Sequence, residues 1–489
     1  MCADRSQAAI AVREATKRGF DTAPVVARRL RVAIFIENDI IYRHFVKSGA
    51  FRGLAQQADV TFVFATREPA NKRLTVVPDA AEVGAPMDNL PIEPKRVFLW
   101  RRLVQVTRMI WRPDIETRRM RAATAYLVGP RAAKYYSVLA LPGIYSLFCW
   151  WTRRQIDRLP SRMMELVRKL TPDVLIHPTV FDGYFVNDFV LVGRRLGIPT
   201  LAIMNSWDNP STKRAVADKP DWVLVWGPQT QAHAVRYMGI DSKRVIAFGA
   251  AQFDVYAGPP RLTREAFCRD YGIDPAKRIL LYAGSSKGAD EFQHLCMIEE
   301  AIDRGDLVNV AVVYRPHPWG EGGYKGERLL DHPWRHVFIE QSMRGYLEAV
   351  GSGSKKQIYL ADYATTHDVL SSIDALVSPL STIILEAALH GKPVLCFIPE
   401  QKEGSSLGLQ ARLPHFEDMY NCPAVLMADG EDMLIPRLRE LVARVGDVRF
   451  AHDLRVASAH FVTPFDEPFS ERIVELVSDI AEGRLQENR

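Results

Sequence analysis

The segment from Asp374 to Phe397, with the sequence DALVSPLSTIILEAALHGKPVLCF, constrains the fold more than any other part of the chain. Residues 375–377 are a short apolar run of the kind found in buried parallel strands, and Pro379 ends that run. Gly391 stands where a helix ends in a left-handed residue, and the proline two positions later prevents the helix from continuing. Another apolar run follows. The segment therefore predicts a strand, a tight loop, a helix and a second strand of a parallel α/β sheet.

The loop of this unit predicts an anion site. Ser381 is placed to cap the helix, and Thr382 follows it. Free N–H groups and the helix dipole at a helix start both attract phosphate. Glu386 lies about one turn further on, where a carboxylate can accept hydrogen bonds from a ribose diol. The alternative is that the two hydroxyls only cap a helix and the glutamate is a solvated charge.

Two other predicted strands end in compatible chemistry. The strand at residues 310–313 leads into Tyr-Arg-Pro-His-Pro, which contains Arg315 and His317, and such a pair can clamp phosphate without a metal. An earlier strand leads into Gly-Ser-Ser-Lys-Gly, where Ser285 and Ser286 stand in a turn that lets the backbone approach a ligand. Because ligands bind beyond the carboxyl ends of strands in doubly wound sheets, the three segments predict one site.

The set of motifs Arg-Pro-His-Pro, Ser-x-x-x-x-Glu and Gly-Lys-Pro-Val in this chain resembles the nucleotide-binding half of GT-B glycosyltransferases. The resemblance covers about residues 174–400 and is greatest to the bacterial branch with CDP-glycerol glycerophosphotransferases, surface-carbohydrate transferases and UDP-GlcNAc 2-epimerases. It implies an α/β fold of two Rossmann-like, doubly wound parallel-sheet domains that face each other across a cleft. It also implies that Glu386 holds the ribose and that the donor phosphates are held by Arg315, His317, Ser381 and Thr382.

The predicted domain organisation has four parts. Residues 1–30 are polar and are expected to be loosely ordered. Residues 31–257 form a Rossmann-like acceptor domain, and a Gly-Pro-Pro linker separates it from a nucleotide-sugar-binding domain at residues 261–461. Residues 462–489 contain a helix that is expected to cross back to the first domain.

A basic and aromatic insertion at residues 95–158 interrupts the parallel-strand pattern. It has fourteen Lys or Arg residues against three acidic ones, with aromatic residues interleaved. This composition predicts a helical insertion that lies on an anionic membrane surface. The alternatives are a helical subdomain with an arginine-rich outer face and a nucleic-acid site. No known nucleic-acid-binding motif accompanies the insertion, so nucleic acid is not an expected partner. No stretch is predicted to span a membrane.

The loop at residues 205–213 is the most unusual loop of the first half, because it brings amide, hydroxyl, indole, carboxylate and ammonium groups to one strand end. In the glycerophosphotransferases that the chain resembles, a Trp-His motif at this place supplies the base. Here the residue after the tryptophan is Asp208, which we expect to be the general base, with Asp182 as second candidate. Asn209 and Lys213 are predicted substrate-binding residues.

The loop after the first predicted strand offers a further set of acceptor-side residues. In a GT-B first domain this loop faces the cleft, so Glu37, Asn38 and His44 are candidates there, and His44 is the third catalytic candidate. The alternative is an ordinary turn between a strand and a helix.

The residues and the family resemblance together imply a metal-independent glycosyltransferase that transfers a sugar from a nucleotide-activated donor to a glycan or lipid-linked acceptor in bacterial surface polysaccharide synthesis. No two aspartates stand in Asp-x-Asp spacing, and no cofactor is expected besides the nucleotide-sugar substrate. Six scattered cysteines and the absence of a signal-peptide pattern predict a cytoplasmic protein, peripheral on the inner face of the cell membrane. The alternatives are a UDP-GlcNAc 2-epimerase-like isomerase, a CDP-glycerol-type glycerophosphotransferase and a non-catalytic GT-B scaffold.

Overall fold

Two parallel sheets, of seven and six strands, form the framework of the protein. The computed structural model describes residues 28–487 apart from 67–73, 114–124, 126–127, 286–288, 318–325, 352–360, 400–410 and 423–424. Most of the predicted N-terminal segment and Ser286 lie outside the described residues.

The first sheet has the strand order β3-β2-β1-β4-β5-β6-β7. Its strands are β1 (Arg31–Ile36), β2 (Asp59–Ala65), β3 (Met87–Leu90), β4 (Val174–Thr179), β5 (Thr200–Met204), β6 (Trp222–Val225) and β7 (Val245–Ala247). The second sheet has the order β10-β9-β8-β11-β12-β13. Its strands are β8 (Arg278–Ala283), β9 (Val310–Arg315), β10 (Val337–Ile339), β11 (Ala375–Ser378), β12 (Val394–Ile398) and β13 (Val425–Asp429).

Both sheets are doubly wound, so each has a switch point where the strand order reverses. The switch points lie between β1 and β4 and between β8 and β11, which pair in parallel. This is the order predicted for Rossmann-like domains, and ligands bind at the carboxyl ends of the strands beside such a point. The predicted α/β fold class is confirmed.

Helices connect the strands and cover the sheets. The described helices, including one π-helical and three 3₁₀ segments, are Asp39–Ile41, Tyr42–Lys47, Arg52–Gln57, Ala80–Val83, Pro94–Arg108, Pro130–Leu139, Ile144–Arg158, Arg162–Leu170, Val186–Leu196, Asn209–Lys213, Pro228–Met238, Ser242–Arg244, Ala251–Ala257, Arg264–Tyr271, Glu291–Asp303, Gly326–Asp331, Gln341–Gly351, Tyr363–Ser372, Ile383–Leu389, Pro414–Tyr420, Glu431–Met433, Leu434–Ala443, Val448–Ser458, Phe469–Ala481 and Arg484–Glu487.

The second sheet is buried on both faces, which explains its continuous apolar strands. Neighbouring residues of β8 belong to different apolar clusters: Leu281 packs in one and Tyr282 in the other. Side chains alternate between the faces of a strand, so each face needs its own layer of helices. Helices packed on both faces of the sheet therefore hold the strand ends in place.

The helix Phe469–Ala481 lies on the first domain. Its residues Phe469, Ile473 and Val477 are buried in the same apolar cluster as Phe35 of β1. The approach is close, since a Cβ atom at Gly53 would lie 2.3 Å from the carbonyl oxygen of Ser470. The helix Phe469–Ala481 thereby packs on the first domain, although it follows the second domain in the sequence.

The basic insertion packs onto the first domain through its own small core around Trp100. Arg96 is buried and forms an ion pair with Asp188 of the helix Val186–Leu196, and the indole N–H of Trp100 donates to Asp188 at 2.9 Å. Another cation, Arg153, lies 2.8 Å from Asp218. Arg96 and Arg153 of the insertion thus pair with carboxylates of the protein itself.

Candidate functional site

A cavity of about 560 Å³ lies between the carboxyl ends of the two sheets. The second domain lines it with residues that follow β8 and β11 and with the end of β9. The first domain lines it with residues that follow β1, β5 and β6. The predicted site residues on its wall are His44, Asp208, Asn209, Arg315, His317, Ser381, Thr382 and Glu386. The structure therefore brings most of the sequence candidates together.

Arg315 offers an unpaired donor to the cavity. It is the last residue of β9, and its Nη2 donates to Thr366 Oγ1 at 3.0 Å. Its Nη1 is buried and has no hydrogen-bond partner among the described residues. A guanidinium N–H in this state is suited to an anionic oxygen, because charge-assisted hydrogen bonds are the strong ones.

Ser381 and Thr382 line the cavity, but neither caps the helix that follows. That helix begins at Ile383, its N-cap position is Thr382, and no side-chain cap bond is formed. The prediction that Ser381 is the cap is wrong because Leu380 takes a left-handed conformation, with φ of 55°, which turns the chain before the helix starts. The helix has only seven residues, and Ser381 and Thr382 lie on the cavity wall just before it begins.

Glu386 is held at the cavity wall by Tyr256, whose hydroxyl donates to Glu386 Oε2 at 2.5 Å. Burial and the neighbouring Glu386 raise the pKa of Tyr256 well above its usual value, so the phenol keeps its proton. Tyr256 belongs to the 3₁₀ segment Ala251–Ala257, so a side chain from the end of the first domain holds this carboxylate at the cavity wall.

Gly284 brings the backbone after β8 to the cavity wall, whereas Ser285 is buried behind it. The Ser285 N–H donates to Glu291 Oε1 at 2.7 Å, and Tyr314 donates to the other carboxylate oxygen at 2.5 Å. A Cβ atom at Gly284 would lie 2.4 Å from Glu291, so a glycine is needed there. Burial raises the pKa of Glu291 to about 7.

On the first-domain side, His44 lies in the π-helical segment Tyr42–Lys47 and is buried. Burial and the charge of Arg43 lower the pKa of His44 to about 3, so the imidazole is neutral near pH 7. Its Nδ1 has no hydrogen-bond partner among the described residues. Its ring lies 5.5 Å from the ring of Tyr363 in the second domain, measured between centroids.

Asp208 is half-buried on the cavity wall, where the loop after β5 turns into the helix Asn209–Lys213. Asn209 stabilises this loop, since its Oδ1 accepts from the Ser206 N–H at 3.1 Å. Thr212 Oγ1 lies 3.4 Å from one carboxylate oxygen of Asp208 and Asn209 Nδ2 lies 3.4 Å from the other. These contacts are long, so they orient the carboxylate only weakly.

Two Rossmann-like domains thus place the carboxyl ends of their strands around one cavity, with Arg315, Ser381 and Thr382 on the second-domain wall. The chain has the GT-B fold. No protein-family model and no curated protein matches the sequence.

Solved structures with similar folds include glycosyltransferases and epimerases. The calicheamicin glycosyltransferase CalG4 matches at 14% identity and a TM-score of 0.49, covering 93% of this chain and 99% of that one. UDP-GlcNAc 2-epimerase from Neisseria meningitidis, bound to UDP-GlcNAc, matches at 11% identity and a TM-score of 0.46, covering 93% and 100%. A variant of the wall teichoic acid polymerase TagF matches at 9% identity and a TM-score of 0.46, covering 94% and 90%. At such identities a likeness identifies neither reaction nor substrate.

Four candidates of the first domain lie away from the cavity wall of this GT-B fold. Asp182 Oδ2 lies 3.8 Å from Lys213 Nζ and 3.6 Å from Arg108 Nη2, and neither Asp182 nor Lys213 lines the cavity. Glu37 Oε2 accepts hydrogen bonds from the N–H groups of Tyr184 and Phe185, just before the helix that follows β4. Asn38 Oδ1 accepts from the Ile41 N–H and so caps the short helix Asp39–Ile41. Glu37 and Asn38 are buried inside the first domain, whereas Asp182 and Lys213 are partly exposed and lie beside each other.

The structure adds cavity residues that sequence reasoning missed. They are Arg43, Asn205, Trp226, Gln252, Tyr363 and Thr366. Asn205 and Trp226 directly follow predicted strands, so their places at strand ends could have indicated them. Arg43 and Tyr363 lie in helical segments that show no motif, and only the packing of the two domains brings them together.

Proposed function

We propose that the protein is a metal-independent glycosyltransferase that binds a nucleotide-sugar in the cavity between its domains. The observation that carries this proposal is a pair of guanidinium groups from opposite domains. Arg315 Nη1 and Arg43 Nε are both buried and have no hydrogen-bond partner among the described residues, and both residues line the cavity. Two such donors fit the oxygens of a diphosphate.

In this proposal the second domain holds the nucleotide. Arg315 and His317 bind the phosphates together with the hydroxyls of Ser381 and Thr382, and Glu386 accepts hydrogen bonds from the ribose. The same cations stabilise the charge that develops on the departing nucleoside diphosphate when the bond between the sugar and the phosphate breaks. Because these groups are already in place within a cavity between two domains, they are more effective than the same groups in bulk solvent.

Asp208 is the proposed general base. It takes the proton of the acceptor hydroxyl while the acceptor oxygen forms its bond to the anomeric carbon, and the phosphate leaves with the electron pair of the broken bond. His44 is neutral and faces the same cavity, so it can orient the acceptor hydroxyl. His44 is also the second candidate for the base.

A panel of nucleotide-sugars tests this function. Thermal shift of the purified protein identifies the donor that binds, because a bound ligand stabilises by mass action. Product analysis with that donor then separates the alternatives. Free nucleoside diphosphate with a new glycoside supports the transferase, and an isomerised donor supports the epimerase. Release of a nucleoside monophosphate from CDP-glycerol supports the glycerophosphotransferase, and binding without turnover supports the scaffold.

We further infer that the acceptor is lipid-linked or membrane-proximal, at the cytoplasmic face of a membrane. Within the described residues, no helix is long and apolar enough to cross a membrane. The insertion instead exposes large apolar side chains around the turn between its last two helices. Leu147 is 66% exposed and Trp150 58% exposed, and the others are Val138, Leu141, Ile144 and Trp151.

The exposed face of the helix Ile144–Arg158 changes in side-chain type along the length of the helix. Ile144, Leu147 and Trp151 share one face with Arg154 and Arg158, by their spacing along the helix. Apolar groups therefore lie at one end, tryptophans in the middle and exposed cations at the other end. This gradient matches acyl chains, the interface and anionic headgroups. In this orientation the apolar turn of the insertion faces the lipid, and the cavity faces the headgroup of the acceptor.

A further inference from the structure

Three neighbouring strands of the first sheet end in residues suited to carbohydrate. Asn205 directly follows β5, and Trp226 directly follows β6. Gln252 lies in the 3₁₀ segment Ala251–Ala257, shortly after β7. Because β5, β6 and β7 are adjacent and parallel, their carboxyl ends meet at one edge of the sheet. All three side chains line the cavity.

Both amides are buried, and among the described residues each has at least one polar atom without a hydrogen bond of good geometry. Gln252 is only 1% exposed, and neither its Oε1 nor its Nε2 has a hydrogen-bond partner among the described residues. Asn205 is 3% exposed and contacts the His44 imidazole, and its Oδ1 has no hydrogen bond of good geometry among the described residues. Buried amides are nearly always hydrogen-bonded, and leaving them unpaired costs free energy. Groups of this kind facing a cavity are donors and acceptors that await a ligand.

The tryptophan between them is fixed by its neighbours. Its indole N–H donates to the Met204 carbonyl oxygen at 3.2 Å, and its ring meets Phe253 edge-on at 5.2 Å between centroids. The N–H is therefore already used, and Trp226, which is only 2% exposed, offers the cavity a small apolar surface. An apolar ring between two planar amides can contact the C–H groups of a sugar while the amides bind its hydroxyls.

We propose that Asn205, Trp226 and Gln252 form the subsite for the sugar ring of the donor. This inference rests on the proposed function, since the sugar is the one attached to the diphosphate held by Arg315. Amides donate and accept hydrogen bonds without titrating, so they suit a hydroxyl-rich group. A glycerol unit has no ring to contact Trp226. The subsite therefore selects a pyranose or furanose over glycerol.

The experiment compares Gln252→Leu with a matched variant, Gln229→Leu. Both glutamines are 1% exposed, but Gln229 is outside the cavity and its Nε2 donates to Asp418 at 2.9 Å and to the His415 carbonyl oxygen at 3.1 Å. Loss of the Gln252 side-chain amide removes no hydrogen bond among the described residues of the unliganded protein. Gln252→Leu should therefore melt at the wild-type temperature or above. Gln229→Leu should melt below it.

Affinity is measured by calorimetry for three ligand types: the nucleotide-sugars of the panel, their nucleoside diphosphates and CDP-glycerol. We expect at least one sugar to add affinity over its nucleoside diphosphate in the wild type. Gln252→Leu should weaken binding of that nucleotide-sugar about tenfold, since it loses two hydrogen bonds, and leave the nucleoside diphosphate unchanged. Asn205→Ala should act in the same direction, and CDP-glycerol should bind no better than CDP.

Three results would overturn the inference: no sugar adds affinity in the wild type, Gln252→Leu keeps the added affinity, or Gln252→Leu weakens the nucleoside diphosphate equally. The outcome is separable from the proposed function. If nucleoside diphosphates bind through Arg315 but no sugar adds affinity, only the subsite fails. If the sugar adds affinity through Gln252 but no acceptor receives it, the transfer reaction fails and the subsite stands.

Discussion

The guanidinium carbon of Arg43, in the first domain, lies 3.9 Å from the ring centroid of Tyr363, in the second domain. Burial is the main reason why the pKa of Tyr363 is raised, while Arg43 and Arg315 both oppose that rise. Arg315 contacts the same helix, Tyr363–Ser372, since its Nη2 donates to Thr366 Oγ1 at 3.0 Å. A cation over an aromatic face is a stabilising contact, and here it joins the two domains at the wall of the cavity that Arg43 and Arg315 both line.

Replacing Arg43 tests whether the first domain takes part in nucleotide binding. Arg43→Ala should raise the dissociation constant of the nucleoside diphosphate about tenfold, because a charge-assisted hydrogen bond contributes roughly 1.5–3 kcal/mol. The matched control is Lys47→Ala in the same helical segment, whose side chain is 46% exposed and lies 3.9 Å from Glu82. Calorimetric titration of both variants gives the comparison. Equal affinities would confine the phosphate site to the second domain.

Replacing Asp208 tests the general base. Asp208→Asn keeps the shape of the side chain and removes its basicity, so turnover should fall by roughly 10²–10⁴ while donor affinity is largely kept. Steady-state turnover and donor titration measure the two quantities. Near-normal turnover would transfer the role to His44, which lines the same cavity; Asp182 lies outside it beside Lys213 and Arg108.

Charge reversal on the insertion tests membrane attachment. Arg154→Glu with Arg158→Glu should release the protein from vesicles that contain anionic lipid, since each cation near such a surface contributes about 1 kcal/mol. Raising the salt to about 1 M should release the wild type too, because the Debye length then shrinks to about 3 Å. Co-sedimentation measures both. Arg153 is unsuited to this test, because it forms an internal ion pair with Asp218.

The control for that experiment reverses two exposed charges of the second domain, Arg269→Glu with Arg439→Glu. This variant has the same net charge as the first one and should sediment with the vesicles as the wild type does. If the wild type itself stays in the supernatant at low salt, the insertion is only a packed subdomain and the acceptor is soluble.

Glu291 makes stability depend on pH. Its pKa is raised from the ordinary value of 4.5 to about 7 by burial. Between these values the unfolded chain releases the proton and the folded protein keeps it, so stability falls as pH rises through this interval. Glu291→Gln does not titrate. The melting temperature of the wild type relative to this variant should therefore decrease from about pH 5 to about pH 7. A constant difference over this range would contradict the placement of Glu291.

The sheet framework was predictable because it depends on local patterns. The strand, helix and strand predicted for residues 374–397 correspond to β11, the helix Ile383–Leu389 and β12. The signals for them, which are apolar runs, proline and Gly391, each depend only on residues that are near in sequence. Even so, the helix start was misplaced, since the left-handed turn at Leu380 has no sequence signal: leucine rarely adopts it.

The candidate site was predictable only where residues stand at strand ends. Arg315 and Asp208 could be found because parallel strands deliver their carboxyl ends to one edge. Arg43, Tyr363 and Gln252 could not, because their roles arise from packing between segments far apart in the chain. Glu37 shows the opposite error: it follows β1 as expected of a cleft residue, yet it turns inward to bind the N–H groups of Tyr184 and Phe185.

Titration of wild type and Arg315→Ala with the nucleoside diphosphate of the best donor tests the central claim, that the cavity is the nucleotide-sugar site. Arg304→Ala, which removes an exposed arginine of the same domain, is the control. We predict that Arg315→Ala raises the dissociation constant about tenfold or more, with an unchanged fold by circular dichroism, and that Arg304→Ala does not. Wild-type affinity in a folded Arg315→Ala protein would contradict the account.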